Sequence, residues 1–96
     1  MKIENANGYI IYSADDLNEN WLVIDYVKAY TKRRGTGSLL VEKVIEIAQN
    51  ENKKLSLCAY PDDKSITLEG LINFYEKLGF AVDYDNGEQA LMSYQF

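Results

Sequence analysis

Lys32-Arg33-Arg34-Gly35-Thr36-Gly37-Ser38 joins an apolar run of β type to the head of an amphipathic helix, and the rest of the chain must accommodate that junction. Two glycines one residue apart let backbone N–H groups turn toward one point with no Cβ in the way. At a helix start, those groups and the positive end of the helix dipole favour a bound phosphate. Three cations just upstream add countercharge. The stretch therefore reads as a pyrophosphate cradle, although a lone Gly-x-Gly also serves as a plain turn. No Gly-Lys-Ser/Thr follows, which excludes a P-loop. A dinucleotide fingerprint would need a third glycine and an acidic ribose partner, and neither is present.

Taken in order, Tyr9–Tyr12 reads as a strand after an Asn7-Gly8 turn, and Trp21–Val27 reads as a second strand beyond a polar, turn-rich Ser13–Asn20. From Gly37 the apolar period changes to 3.6: Leu40, Val41, Val44, Ile45 and Ala48 share one face of a helix ending near Asn52-Lys53. Leu55–Tyr60 is a strand stopped by Pro61. Ser65 or Thr67 caps a second helix whose apolar face is Leu68, Leu71, Ile72, Tyr75 and Leu78, with Gly79 as its left-handed terminator. Two further strands, from Phe80 and from Leu91, flank an Asp85-Asn86-Gly87 turn. The pattern is α+β, a mixed sheet of five to six strands flanked by two helices.

Ninety-six residues are enough for one domain with one core. A net charge of −5 argues against direct binding of nucleic acid or of an anionic membrane, and fits docking on a basic protein surface. No apolar run approaches a membrane span of roughly 20 residues. One cysteine, Cys58, allows no internal disulfide and reads as a buried strand residue. With no histidine in the chain, Ser-His-Asp and Cys-His catalysis are excluded, and no metal site is expected. The expected location is the cytoplasm.

Lys32-Arg33-Arg34-Gly35-Thr36-Gly37 resembles the Gln/Arg-x-x-Gly-x-Gly/Ala segment of the GNAT acetyltransferases, and Phe74-Tyr75-Glu76-Lys77-Leu78-Gly79-Phe80 resembles their second hallmark, a helix-end tyrosine followed by Gly-Phe. The resemblance implies a truncated GNAT fold over residues 1–96, lacking the usual N-terminal strand and two helices, with acetyl-CoA as cosubstrate. It implies that pantetheine pairs with the backbone of Tyr26, Val27 and Ala29, and that the pyrophosphate lies on Lys32 to Ser38, with Phe74 also at the coenzyme. Lys32 keeps the charge of the family's usual residue but lacks the planar fork of arginine.

By the same resemblance Tyr75 is the catalytic residue, set to protonate the departing thiolate or hold it by hydrogen bond. Asp25 is one candidate for the base, with an outward-facing strand carboxylate as the equal alternative; an acid near Asp62-Asp63 or a water chain would also serve. Within the family, nearly the whole chain is similar to small phage-type anti-CRISPR acetyltransferases directed at the type V-A effector nuclease, through Met1–Glu4, Gly8–Ile10, Tyr12-Ser13, Ile24-Asp25, Thr31–Arg33, Ala59–Pro61, Ser65-Ile66 and Phe74-Tyr75. That likeness implies acetylation of a lysine that reads the PAM, removing its charge and its contact to DNA. A cellular GNAT acting on another protein or a small amine, and a non-catalytic acidic interaction module, are the alternatives.

Overall fold

The computed structural model describes residues 1–29, 35–61 and 66–94. They contain six strands and two helices, grouped in two compact units, Met1–Leu55 and Ser56–Phe96.

The first unit begins with β1 (Lys2–Asn5) and β2 (Gly8–Ala14), an antiparallel pair in the register Asn5↔Gly8 to Lys2↔Ile11. β1 is an addition to the strands expected from the sequence. The reversal falls at Ala6–Asn7, where Asn7 N–H donates to Asn5 Oδ1 at 2.8 Å, and Gly8 is already the first residue of β2. β3 (Trp21–Ala29) pairs antiparallel with β2 and shifts register between Tyr12↔Ile24 and Ile11↔Tyr26, so Asp25 is the extra residue of a bulge. Bulges bend a strand and re-aim its side chains. Here Val27, opposite the buried Ile10, returns to the same face as Ile24.

Helix α1 (Thr36–Asn50) packs on β2 and β3. Its Leu40, Val41, Val44, Ile45 and Ala48 are all buried, with Ile10, Tyr12, Leu22 and Ile24 from the strands. The expected apolar stripe is thus the core of this unit. The helix stops where Asn52 takes the left-handed conformation (φ 55) and Lys53 N–H donates to the Ala48 carbonyl at 2.8 Å. Asparagine is among the few residues that visit this region readily.

β4 (Lys54–Ala59) starts in the last two residues of the first unit, where Lys54 N–H donates to the Asn20 carbonyl at 2.9 Å. In the second unit β4 pairs antiparallel with β6 (Ala90–Tyr94), which pairs antiparallel with β5 (Phe80–Asp85). Helix α2 (Leu68–Lys77) packs on β5. Its cap is Thr67, whose Oγ1 accepts from Gly70 N–H at 3.0 Å, while Ser65 lies outside the described residues. Of the expected stripe on α2 only Tyr75 is buried; Leu68, Leu71, Ile72 and Leu78 are half-buried. A helix of 10 residues that lies on one strand of its unit covers one narrow line of side chains.

The strand period of two also corrects the placing of Cys58. Leu55, Leu57 and Ala59 take the buried face of β4, so Cys58 points the other way and is exposed. No helix among the described residues is long and apolar enough to cross a membrane.

Candidate functional site

The head of α1 has the properties that an anion requires. Gly35 is its N-cap, at φ 66 and ψ 15, a left-handed conformation that glycine adopts without penalty. Its carbonyl already accepts from Leu39 N–H at 3.1 Å, so the helical ladder begins there. The Gly35 cap supplies no side-chain hydrogen bond and the first turn carries no acid. Among the described residues, the first-turn amides and the positive dipole end therefore have no counter-anion within the helix itself. Among the described residues, nothing lies within 4 Å of the place a Cβ on Gly35 would occupy.

That is the fit expected for a phosphate ligand on Gly35, Thr36, Gly37 and Ser38, the last two half-buried. Lys32, Arg33 and Arg34 lie outside the described residues. β3 leads toward the turn. Tyr26 is exposed and stacks obliquely on Tyr9, with ring centroids 6.0 Å apart and planes at 32°. Val27 is half-buried opposite Ile10, and the Ala29 backbone pairs with Gly8.

Asp25, at the bulge in the same strand, accepts a hydrogen bond from Ser13 Oγ at 2.8 Å and is exposed. It is an outward carboxylate, not a half-buried one. The bulge left no mark in the sequence beyond an acid inside an apolar run. Asp62 and Asp63, the other acids considered for the base, lie outside the described residues.

Phe74 and Tyr75 stand near the C-terminal end of α2, in the second unit. Tyr75 is 7% exposed, and its ring is the middle of an edge-on aromatic series. The Phe74 ring is 5.1 Å away at 70°, and the Phe80 ring 5.7 Å away at 68°. Tyr94 continues the series, 5.4 Å from Phe80 at 77°. Burial pushes the Tyr75 hydroxyl up from 10.0 to about 12, because the ionised phenolate would lose its solvation. The group therefore keeps its proton throughout the neutral range.

Gly79 closes α2 at φ +109, and a Cβ there would lie 2.8 Å from Tyr94 Cε2. The sequence marks this glycine as a helix stop but gives no hint of Tyr94, which strand pairing joins to the site. Phe80↔Tyr94 is the register that brings it there.

The family profile described as "Acetyltransferase (GNAT) family" matches residues 4–80. Among solved structures, the crystal structure of the anti-CRISPR protein AcrVA5 superposes with a TM-score of 0.85 and 40% sequence identity, over 99% of this chain and 97% of that one. PaiA N-acetyltransferase from Thermoplasma acidophilum, solved in complex with coenzyme A, matches with a TM-score of 0.72 at 16% identity, over 94% of this chain and 54% of that one. Arabidopsis thaliana Naa50, in complex with the bisubstrate analogue CoA-Ac-MVNAL, gives a TM-score of 0.65 at 18% identity, over 94% of this chain and 66% of that one. No curated protein matches the chain. A profile match over most of the sequence, together with 40% identity across nearly the whole of a solved relative, places this chain in the GNAT acetyltransferase family.

Proposed function

We propose that the chain is an acetyl-CoA-dependent lysine acetyltransferase acting on a protein, and that its acceptor is the PAM-reading lysine of a type V-A CRISPR effector nuclease. The observation that carries this reading is the 40% identity with an anti-CRISPR protein over 99% of the chain, within an acetyltransferase family.

Acetyl-CoA supplies an activated acyl group as a thioester. The roles of the chain's own residues are those that the family resemblance implies. First-turn amides of Gly35 to Ser38, with Lys32, Arg33 and Arg34, hold the diphosphate by charge-assisted hydrogen bonds. Tyr26, Val27 and Ala29 offer strand backbone to the pantetheine amides, as an added strand would. Phe74 contributes apolar surface next to Tyr75.

In the transfer, a neutral lysine amine attacks the acyl carbon, the carbon–sulfur bond breaks and an amide forms. The amine proton leaves to solvent, and the sulfur departs with the electron pair. Tyr75 donates its O–H to that sulfur. Its hydroxyl, at about 12, is a much weaker acid than a thiol near 8.5, so it stabilises the thiolate by hydrogen bond and retains its proton. Charge developing on sulfur is met only as the bond breaks, which is the condition for a catalytic effect.

The cradle half of this proposal is tested by thermal unfolding with and without acetyl-CoA. The wild-type chain is expected to gain stability by mass action, and Gly35→Trp to lose that gain. A gain that survives Gly35→Trp would contradict the cradle.

A further inference from the structure

The outer face of the β4–β6–β5 sheet carries a row of side chains the acetyl-transfer chemistry does not use. Cys58 pairs with Leu91, and Leu91 pairs with Tyr84, so the three lie side by side across the three strands. All are exposed, Leu91 by 48% and Tyr84 by 61%. One step along the strands, the equivalent row Ser56, Ser93 and Ala81 is small and largely covered. Large apolar side chains therefore stand at the open end of this face.

Acids adjoin that end. The β5 register shifts between Val82↔Met92 and Tyr84↔Leu91, so Asp83 is the extra residue of a bulge on the outermost strand. Asp85 and Glu88 follow in the turn, and every residue from 82 to 89 is exposed. The turn is held by its own side chains: Gly87 N–H donates to Asp85 Oδ1 at 2.7 Å, and Glu88 and Gln89 N–H both donate to Asn86 Oδ1 at 2.9 Å. From Leu78 to Tyr94 the sequence contains no lysine or arginine.

We propose that Tyr84 and Leu91, with Asp83 and Glu88 on the adjoining strand and turn, form the docking surface for a basic face of the acceptor protein, with an apolar side chain at its centre. Charge complementarity selects this occupant. A second copy would set the same acids against each other, while nucleic acid and anionic lipid would be repelled. The central aromatic and aliphatic residues supply the desolvated contact, and the adjoining acids supply orientation and association rate. The assignment rests on the protein-acceptor reading above.

The test uses the intact chain and guide-loaded type V-A effector nuclease as the probe, with binding measured directly and acetyl transfer followed by mass spectrometry. Two variants are compared with wild type: Asp83→Lys with Glu88→Lys, and Leu91→Lys. Asp85 is left in place because it holds the turn. Retained stabilisation by acetyl-CoA confirms that each variant is folded.

At least tenfold weaker binding is expected from both, with KM for the nuclease raised by a similar factor and kcat near wild type. The charge-reversed pair should also lose most of the salt dependence of binding. Wild-type affinity in both variants, or no binding by the wild-type chain, overturns the surface. Binding that depends on these residues without any acetyl transfer contradicts the lysine-acceptor reading alone and upholds the surface.

Discussion

Gly79 packs directly under the Tyr94 ring: a Cβ at position 79 would lie 2.8 Å from Tyr94 Cε2, on backbone at φ +109. The pairing closes α2 and seats Tyr94 against Phe80, whose ring in turn packs edge-on against Tyr75. The Leu-Gly-Phe sequence is therefore a packing requirement that fixes the ring of the candidate catalytic residue.

Gly79→Ala combines a left-handed backbone penalty with displacement of the Tyr94 ring. The expected loss is about 2 kcal/mol, within the range for strained backbone positions. Chemical denaturation measures it, and a loss below about 0.5 kcal/mol would show that the ring moves aside freely.

Tyr75→Phe retains the ring and its aromatic neighbours while removing the donor. A hydrogen bond to a charged group contributes about 1.5–3 kcal/mol, so kcat should fall by roughly 10- to 100-fold. Stabilisation by acetyl-CoA should be almost unchanged. Equal loss of turnover and coenzyme binding would contradict the assigned role.

Alkaline stability reports on the same hydroxyl. Unfolded, Tyr75 titrates at 10.0; folded, at about 12. Below pH 10 both states hold the proton and the contribution is present in full. Between 10 and 12 the unfolded state releases it first, so unfolding becomes easier as pH rises. Across that window the lost stability amounts to about 2.7 kcal/mol. The slope of stability over this window should be smaller in Tyr75→Phe, and identical slopes would contradict the burial of this hydroxyl.

Leu40→Ala tests the core of the first unit. Leu40 is fully buried on the inward stripe of α1, and such truncations cost about 2–5 kcal/mol. Leu39→Ala, one position away and 56% exposed, should change stability by less than about 0.5 kcal/mol. Similar losses in the two would mean the helix face is misassigned.

The contrast between Leu39 and Leu40 also shows how much of the structure is legible in the sequence. The 3.6-residue stripe on α1 is readable because a long helix repeats its pattern through four turns. The turn before α1 is readable because glycine at 35 answers a backbone demand that few residues meet. The Asp25 bulge is not, since it arises from register between strands and not from any local preference. Cys58 departs from its expected burial because the alternation of Leu55, Leu57 and Ala59 around it outweighs the average preference of cysteine for the interior. Tyr94 is tied to Gly79 only through the pairing of β5 with β6, which no local pattern announces. β1 escapes notice although Asn7-Gly8 is a hairpin signal, because four residues at the start of a chain carry little periodicity.

The chain is proposed to move an acetyl group from coenzyme A to a protein lysine with Tyr75 at the leaving sulfur. Peptide mapping of a type V-A effector nuclease after incubation with acetyl-CoA and the wild-type chain, with Tyr75→Phe in parallel, tests it most directly. Acetyl-lysine is expected at a PAM-reading position, formed at least tenfold more slowly by Tyr75→Phe. A nuclease whose lysines all stay unmodified, or equal rates from the two proteins, would contradict it.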